Sequence, residues 1–133
     1  MKKLFTLLAL TISFSMNAQM SDNSSGTTAS GTAATAMGYL TTASGTASTA
    51  MGYSTTASGD VSTAMGYSTT ASGNESTAMG RSTTASDFGS LVIGQYNSSG
   101  SSVTNNATSF NTANTAFVIG NGTADNARSD AFK

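Results

Sequence analysis

Between Thr28 and Gly94 a glycine returns every seventh residue, at Gly31, Gly38, Gly45, Gly52, Gly59, Gly66, Gly73 and Gly80; Asp87 stands in once, and Gly94 restores the step. Two positions before each lies a small residue in the same phase: Ala29, Ala36, Ala43, Ala50, Ala57, Ala64, Ala71, Ala78 and Ala85, with Val92 at the last step. A threonine precedes every one of those nine alanines. The residue between alanine and glycine alternates: Ser30, Met37, Ser44, Met51, Ser58, Met65, Ser72, Met79, Ser86 and finally Ile93. The repeat is therefore fourteen residues long and consists of two similar halves.

A seven-residue period invites a coiled-coil reading, which needs two seams of large apolar side chains on a strong helix former. Each heptad here carries a glycine instead, about 1 kcal/mol worse than alanine in a helix, together with several threonines and serines. A flexible linker is the stronger competitor, because Ser, Thr, Ala and Gly fill 80 of the 133 positions. A linker has no reason to hold Thr-Ala-Ser and Thr-Ala-Met in register nine times, whereas fixed self-similarity marks a repeat architecture. The expected fold is all-β: a parallel β-roll, or solenoid, of fourteen-residue coils. Each coil holds two short strands, with turns at Gly31, Gly38, Gly45, Gly52, Gly59, Gly66, Gly73 and Gly80, where glycine takes positive φ without strain.

Alternation along a strand then assigns faces. Ser48, Ala50 and Gly52 share one side and Thr49 and Met51 the other. So short a coil has a thin interior, which places Ala36, Ala43, Ala50, Ala57, Ala64, Ala71 and Ala78 inside. The outer side is polar in one half of the repeat. In the other half it carries a column of Met37, Met51, Met65, Met79 and Ile93, spaced about 4.8 Å apart if successive coils pair as strands. Such a column would be an exposed apolar patch on a lone chain, so it is expected to meet copies of itself and to couple folding to oligomerisation.

The alternating Thr-Ala-Ser-Gly and Thr-Ala-Met-Gly units, followed by Leu91-Val92-Ile93-Gly94, resemble the head repeats of trimeric autotransporter adhesins, the YadA-like or haemagglutinin-type head. The resemblance covers Thr28 to about Gly94 and, more loosely, Phe117 to Gly122. It implies a left-handed roll, three chains side by side as a homotrimer, display at the bacterial surface and a role in attachment. The stalk and the C-terminal membrane anchor of that family have no counterpart before Lys133, so no membrane anchor of its own is read here. Similar repeats also occur in phage-fibre-like structural proteins.

The remaining segments are read as follows. Residues 1–18, with Lys2, Lys3, an apolar run from Leu4 to Phe14 and Ala18 at the cleavage point, are expected to be a signal peptide. The mature chain then starts near Gln19 with a flexible stretch at 19–27, and is secreted or placed at the cell surface or outer membrane. Repeats fill 28–94. An irregular loop and a C-terminal capping coil fill 95–133, with Phe110, Phe117 and Phe132 closing the roll and Asn121-Gly122 as a turn. Phe88 marks the transition. Tyr39, Tyr53 and Tyr67, with Arg81 next in line, read as stacked turn residues rather than a binding ladder. The Asn-x-Ser/Thr sites at Asn23, Asn74, Asn97, Asn106 and Asn121 are not read as glycosylation signals.

Composition then narrows function. The chain has no Cys and no His, hence no thiolate, imidazole base, disulfide or usual zinc site, and no metal or cofactor is expected. Without Lys2 and Lys3 three basic residues face six acidic ones, a poor match for nucleic acid. Asp60, Glu75 and Asp87 fall at loop positions and form no catalytic pair, so an enzyme is not expected. The leading expectation is an adhesin head that holds host, matrix or abiotic surfaces. The alternative is an ice-binding, antifreeze-type solenoid, since Thr35, Thr49, Thr63 and Thr77 recur on one outer face.

Overall fold

A computed structural model describes residues 20–21, 26–98 and 106–133. The expected signal peptide at 1–18 lies outside the described residues. Numbered in chain order, the long strands of the repeat are β3 (Thr35–Tyr39), β5 (Thr49–Tyr53), β7 (Thr63–Tyr67), β9 (Thr77–Arg81) and β11 (Leu91–Gln95). Short strands alternate with them: β2 (Thr28–Ala29), β4 (Thr42–Ala43), β6 (Thr56–Ala57), β8 (Thr70–Ala71) and β10 (Thr84–Ala85). Before the repeat stands β1 (Met20–Ser21), and after it β12 (Phe117–Asn121) and β13 (Asp130–Phe132).

Long strands pair only with long strands and short ones only with short, always parallel and fourteen residues apart within the repeat. Thr49, Ala50, Met51, Gly52 and Tyr53 face Thr63, Ala64, Met65, Gly66 and Tyr67, and Thr56 and Ala57 face Thr70 and Ala71. The chain is a parallel β-solenoid. One sheet runs β1-β3-β5-β7-β9-β11-β12-β13, the other β10-β8-β6-β4-β2. The roll begins earlier than Thr28, because Met20 and Ser21, in the stretch expected to be flexible, pair with Thr35 and Ala36.

Between the sheets the core is one residue thick. Ala36, Ala43, Ala50, Ala57, Ala64, Ala71 and Ala78 are fully buried, and Val92 and Val118 continue the column of long-strand alanines. Buried hydroxyls flank these methyls. Thr41, Thr55, Thr69 and Thr83 stand before the short strands, and Ser48, Ser62, Ser76 and Ser90 before the long ones. The Ser48 hydroxyl donates to the Gly45 carbonyl at 2.7 Å, whereas those of Thr55, Ser62, Thr69 and Thr83 have no protein partner. A buried methyl(ene) contributes about 0.8 kcal/mol. A backbone hydrogen bond contributes about 1 kcal/mol net. The coil-to-coil ladder therefore does as much to hold the roll as its apolar core.

That ladder runs through the turns as well. The Ala47 N–H donates to Thr32 O, Val61 to Thr46 O, Ser54 to Tyr39 O and Ser68 to Tyr53 O, all at 2.7–2.8 Å. These donors have left-handed backbone, as do Glu75 and Ser82, which donate to Asp60 O and Tyr67 O, and Ala33 and Leu40 at the same turn positions of the first coil. Each such conformation costs an L-residue about 1–2 kcal/mol. The inter-coil bonds offset it. The glycines act differently from the expectation of a positive φ at each. Gly38, Gly52, Gly66 and Gly80 have φ near +120°, which turns Gly52 outward rather than to the alanine side. Gly31, Gly45, Gly59 and Gly73 have no positive φ; they are buried where the next coil passes so close that a Cβ on Gly59 would stand 2.1 Å from the Gly73 carbonyl oxygen.

After Gln95 the roll resumes at Phe117, with Val92 beside Val118 and Ile93 beside Ile119. One coil is thus 26 residues long instead of fourteen. Asp87, in the glycine column, is buried and takes the Thr115 N–H on its Oδ2 at 2.8 Å, fixing where the chain re-enters. On the way, Asn106 O accepts from Phe88 N–H and Ala107 O from Asn74 N–H, which tie this loop to the outer edge of the roll. The end is closed by β13, antiparallel to β12, with the Phe132 ring 5.8 Å from that of Phe117. Phe110 takes no part in the closure: it sits on the edge loop, 75% exposed.

Candidate interaction surfaces

Each sheet has an outer face whose residues the two-residue period selects. On the short-strand sheet, Thr42, Thr56, Thr70 and Thr84 are half-buried, with Ser44 and Ser58 exposed beside them. On the long-strand sheet, Thr35, Thr49, Thr63 and Thr77 form one column, and Met37, Met51, Met65, Met79, Ile93 and Ile119 form the next, in register from coil to coil. Met37 is 37% exposed, and the rest of that column is half-buried. The outer surface of the column has no partner among the described residues.

At the end of the same strands lies a third column. Tyr39, Tyr53 and Tyr67 stack with ring centroids 5.3 and 5.1 Å apart, close to the strand spacing, and remain 44–50% exposed. Arg81 continues the stack, its guanidinium 5.7 Å from the Tyr67 ring and 5.5 Å from that of Tyr96. Arg128 also lies over the Tyr96 ring, at 5.8 Å, and donates to Ser82 O and Asn97 O. Such cation–π contacts contribute about 0.5–1 kcal/mol where exposed. The column thus passes from stacked phenols into a clamp that holds the C-terminal segment against the roll.

Acidic side chains serve the backbone. Asp60 Oδ1 accepts from Thr46 N–H at 2.8 Å, and Asn74 Oδ1 from Asp60 N–H at 3.0 Å, so these two side chains extend the coil-to-coil ladder at the turn edge. Asp130 Oδ1 accepts from Ser98 N–H, and Asp125 pairs with Arg128. Among the described residues no group of three His, Cys, Asp or Glu side chains could hold a metal ion, and no helix is long and apolar enough to cross a membrane. The buried threonine column escaped the face assignment, although Thr41 precedes the inward Ala43 by two residues and the same period points it inward.

The surfaces available are therefore flat, repetitive and built from strands. Neither curated proteins nor solved structures provide a match to the chain. The profile of the YadA head domain repeat (two copies) matches in four overlapping frames, at residues 29–55, 43–69, 57–83 and 71–97. Each frame starts fourteen residues after the last, the step of one coil. Together they span just over half of the 133 residues and cover β2 to β11. By its repeat, its coil length and its parallel pairing, this chain belongs to the YadA head domain family.

Proposed function

We propose that the chain is the head module of a homotrimeric adhesin, secreted or displayed at the cell surface, that attaches to other surfaces by many weak contacts and performs no catalysis. The column Met37, Met51, Met65, Met79, Ile93 and Ile119 carries this reading. Six large apolar side chains stand in register on the outside of a roll whose own core is alanine. A patch of that length on a soluble chain calls for a partner, and a second and third copy present the same flat column. Burial between rolls supplies apolar area that a one-residue core lacks. Display outside the cytoplasm rests on the signal-like residues 1–18 and on the family.

The Thr35 column shares its face with methionine, which weighs against a flat threonine array that orders ice. Use of Asp60 and Asp87 as acceptors for backbone N–H groups weighs against a hydrolase. Sedimentation of the full chain tests the proposal: a β-rich species with the mass of three chains is the expected result. A β-rich monomer overturns it. Attachment is read separately, by retention of protein-coated beads on matrix-coated and bare surfaces.

A further inference from the structure

At the edge of the roll opposite the tyrosine stack, the loop of the 26-residue coil and the turn at Phe88 enclose a pocket of about 330 Å³. This volume falls in the range of small-molecule sites, which are apolar with a few placed polar groups. Phe88 and Phe110 supply the apolar walls. Phenylalanine is scarce in this chain, and Phe110 is its most exposed large apolar side chain among the described residues. At Gly89, with φ +65°, a Cβ would meet nothing within 4 Å, so the chain leaves the space beside the wall open. The hydrogen bonds from Phe88, Asn74 and Thr115 that fix the loop make the pocket a built feature.

The polar lining comes from Asn111, Thr112 and Asn114. Asn114 Nδ2 is held by Asn106 O and Ser109 O, but its Oδ1 is buried and receives no hydrogen bond. Asn111 Oδ1 accepts from Ala113 N–H, which leaves its Nδ2 hydrogens free. The pocket thus offers an amide donor and a threonine hydroxyl that can donate or accept. No charged side chain lines it. We propose that this pocket binds a neutral saccharide unit, whose hydroxyls pair with Asn111 and Thr112 while a C–H face of the sugar ring packs on Phe110. Aromatic faces are electronegative and attract the slightly positive C–H groups of a pyranose. The absence of charge selects neutral sugars over acidic ones.

This assignment rests on the attachment reading and gives it a ligand class. The test titrates the full chain with free glucose, galactose, mannose and N-acetylglucosamine, and with N-acetylneuraminic acid as the charged comparison, followed by saturation-transfer NMR. Saturable binding of at least one neutral sugar is expected, with none for the acid. Phe110→Ala should weaken it roughly tenfold. Asn111→Ala should weaken it about fivefold. Phe132→Ala, exposed but remote from the pocket, should not change it. Both pocket residues are exposed, and an unchanged β spectrum and melting point show that the variants fold. No neutral sugar bound, equal binding of the acid, or unchanged binding by Phe110→Ala overturns the proposal. Bead retention that persists in such a case leaves the attachment reading standing; loss of retention in the wild-type trimer removes that reading instead.

Discussion

The side chain of Asn97 pairs with the backbone of Thr84 in both directions: its Oδ1 accepts from Thr84 N–H at 2.8 Å, and its Nδ2 donates to Thr84 O at 3.1 Å. Every earlier short strand is met by backbone from the next coil, as where Thr70 N–H donates to Thr83 O. At β10 no further strand follows, and the carboxamide, which has a peptide's donor and acceptor, stands in for it. An open strand edge invites pairing with other chains. Asn97 closes this one while lying buried in the column of Thr41, Thr55, Thr69 and Thr83.

Removing that amide should therefore cost more than an average side chain. Asn97→Ala orphans a donor and an acceptor at once and is expected to destabilise the roll by about 1–3 kcal/mol. Asn97→Asp keeps the acceptor for Thr84 N–H and loses the donor, so it should fall between. Urea unfolding midpoints at fixed protein concentration measure both. A midpoint for Asn97→Ala equal to that of the wild type would show that solvent serves the β10 edge equally well.

The glycines divide by what surrounds them. Gly59→Ala puts a methyl 2.1 Å from the Gly73 carbonyl oxygen, and only a shift of the neighbouring coil can relieve it. A cost of about 3 kcal/mol or more is expected, at the upper end for overpacking. Gly89→Ala meets no atom and should lose only about 1–2 kcal/mol through its left-handed φ. Thermal melting of the two variants side by side decides this, and equal losses would mean that coil spacing, not φ, is freely adjustable.

How far the sequence reaches is visible at these same positions. Period two in Thr-Ala-Met, with period fourteen between coils, suffices to place Ala50 inside and Met51 outside, and the parallel pairing follows because identical residues must stack. It does not tell the two glycine classes apart. Gly52 is needed both for its φ and for the closeness of the next coil, Gly59 for that closeness alone, and both leave the same letter at the same spacing. Nor does it show that Ala47 and Ser54 would carry the left-handed turns, since the bonds that stabilise them come from a residue fifteen positions earlier. The 26-residue coil is hidden for a related reason. Its return is set by one buried carboxylate, Asp87, which reads in sequence as a lost glycine.

Core width changes along the roll, so losing the pair of methyls at one end and gaining it in the middle should both be costly, for opposite reasons. Val92 and Val118 occupy the column that alanine fills from Ala36 to Ala78. Val92→Ala should leave a void and cost about 2 kcal/mol. Ala64→Val, between two alanines of adjacent coils, should overpack and cost about 1–3 kcal/mol. Calorimetric stabilities of the two variants test whether the interior is as thin in the middle as the burial of alanine implies. A stabilising Ala64→Val would show unused space there.

The outer faces give the sharpest contrast, because Met51 and Ser58 lie on opposite sheets of one coil and are both accessible in a single chain. If rolls meet through the methionine column, a carboxylate at residue 51 from each of three chains would be brought together in an apolar interface, where an unpaired buried charge is strongly unfavourable. A carboxylate at residue 58 would stay in water. Met51→Asp is thus expected to convert a three-chain species into smaller ones, or to lower its melting point in a manner that depends on protein concentration. Ser58→Asp should leave the mass unchanged and the stability within about 0.5 kcal/mol of the wild type. Sedimentation velocity over a hundredfold range of concentration reads the outcome directly: similar tolerance of the two substitutions would remove the methionine face from the interface and move the search to the threonine and serine columns of the other sheet.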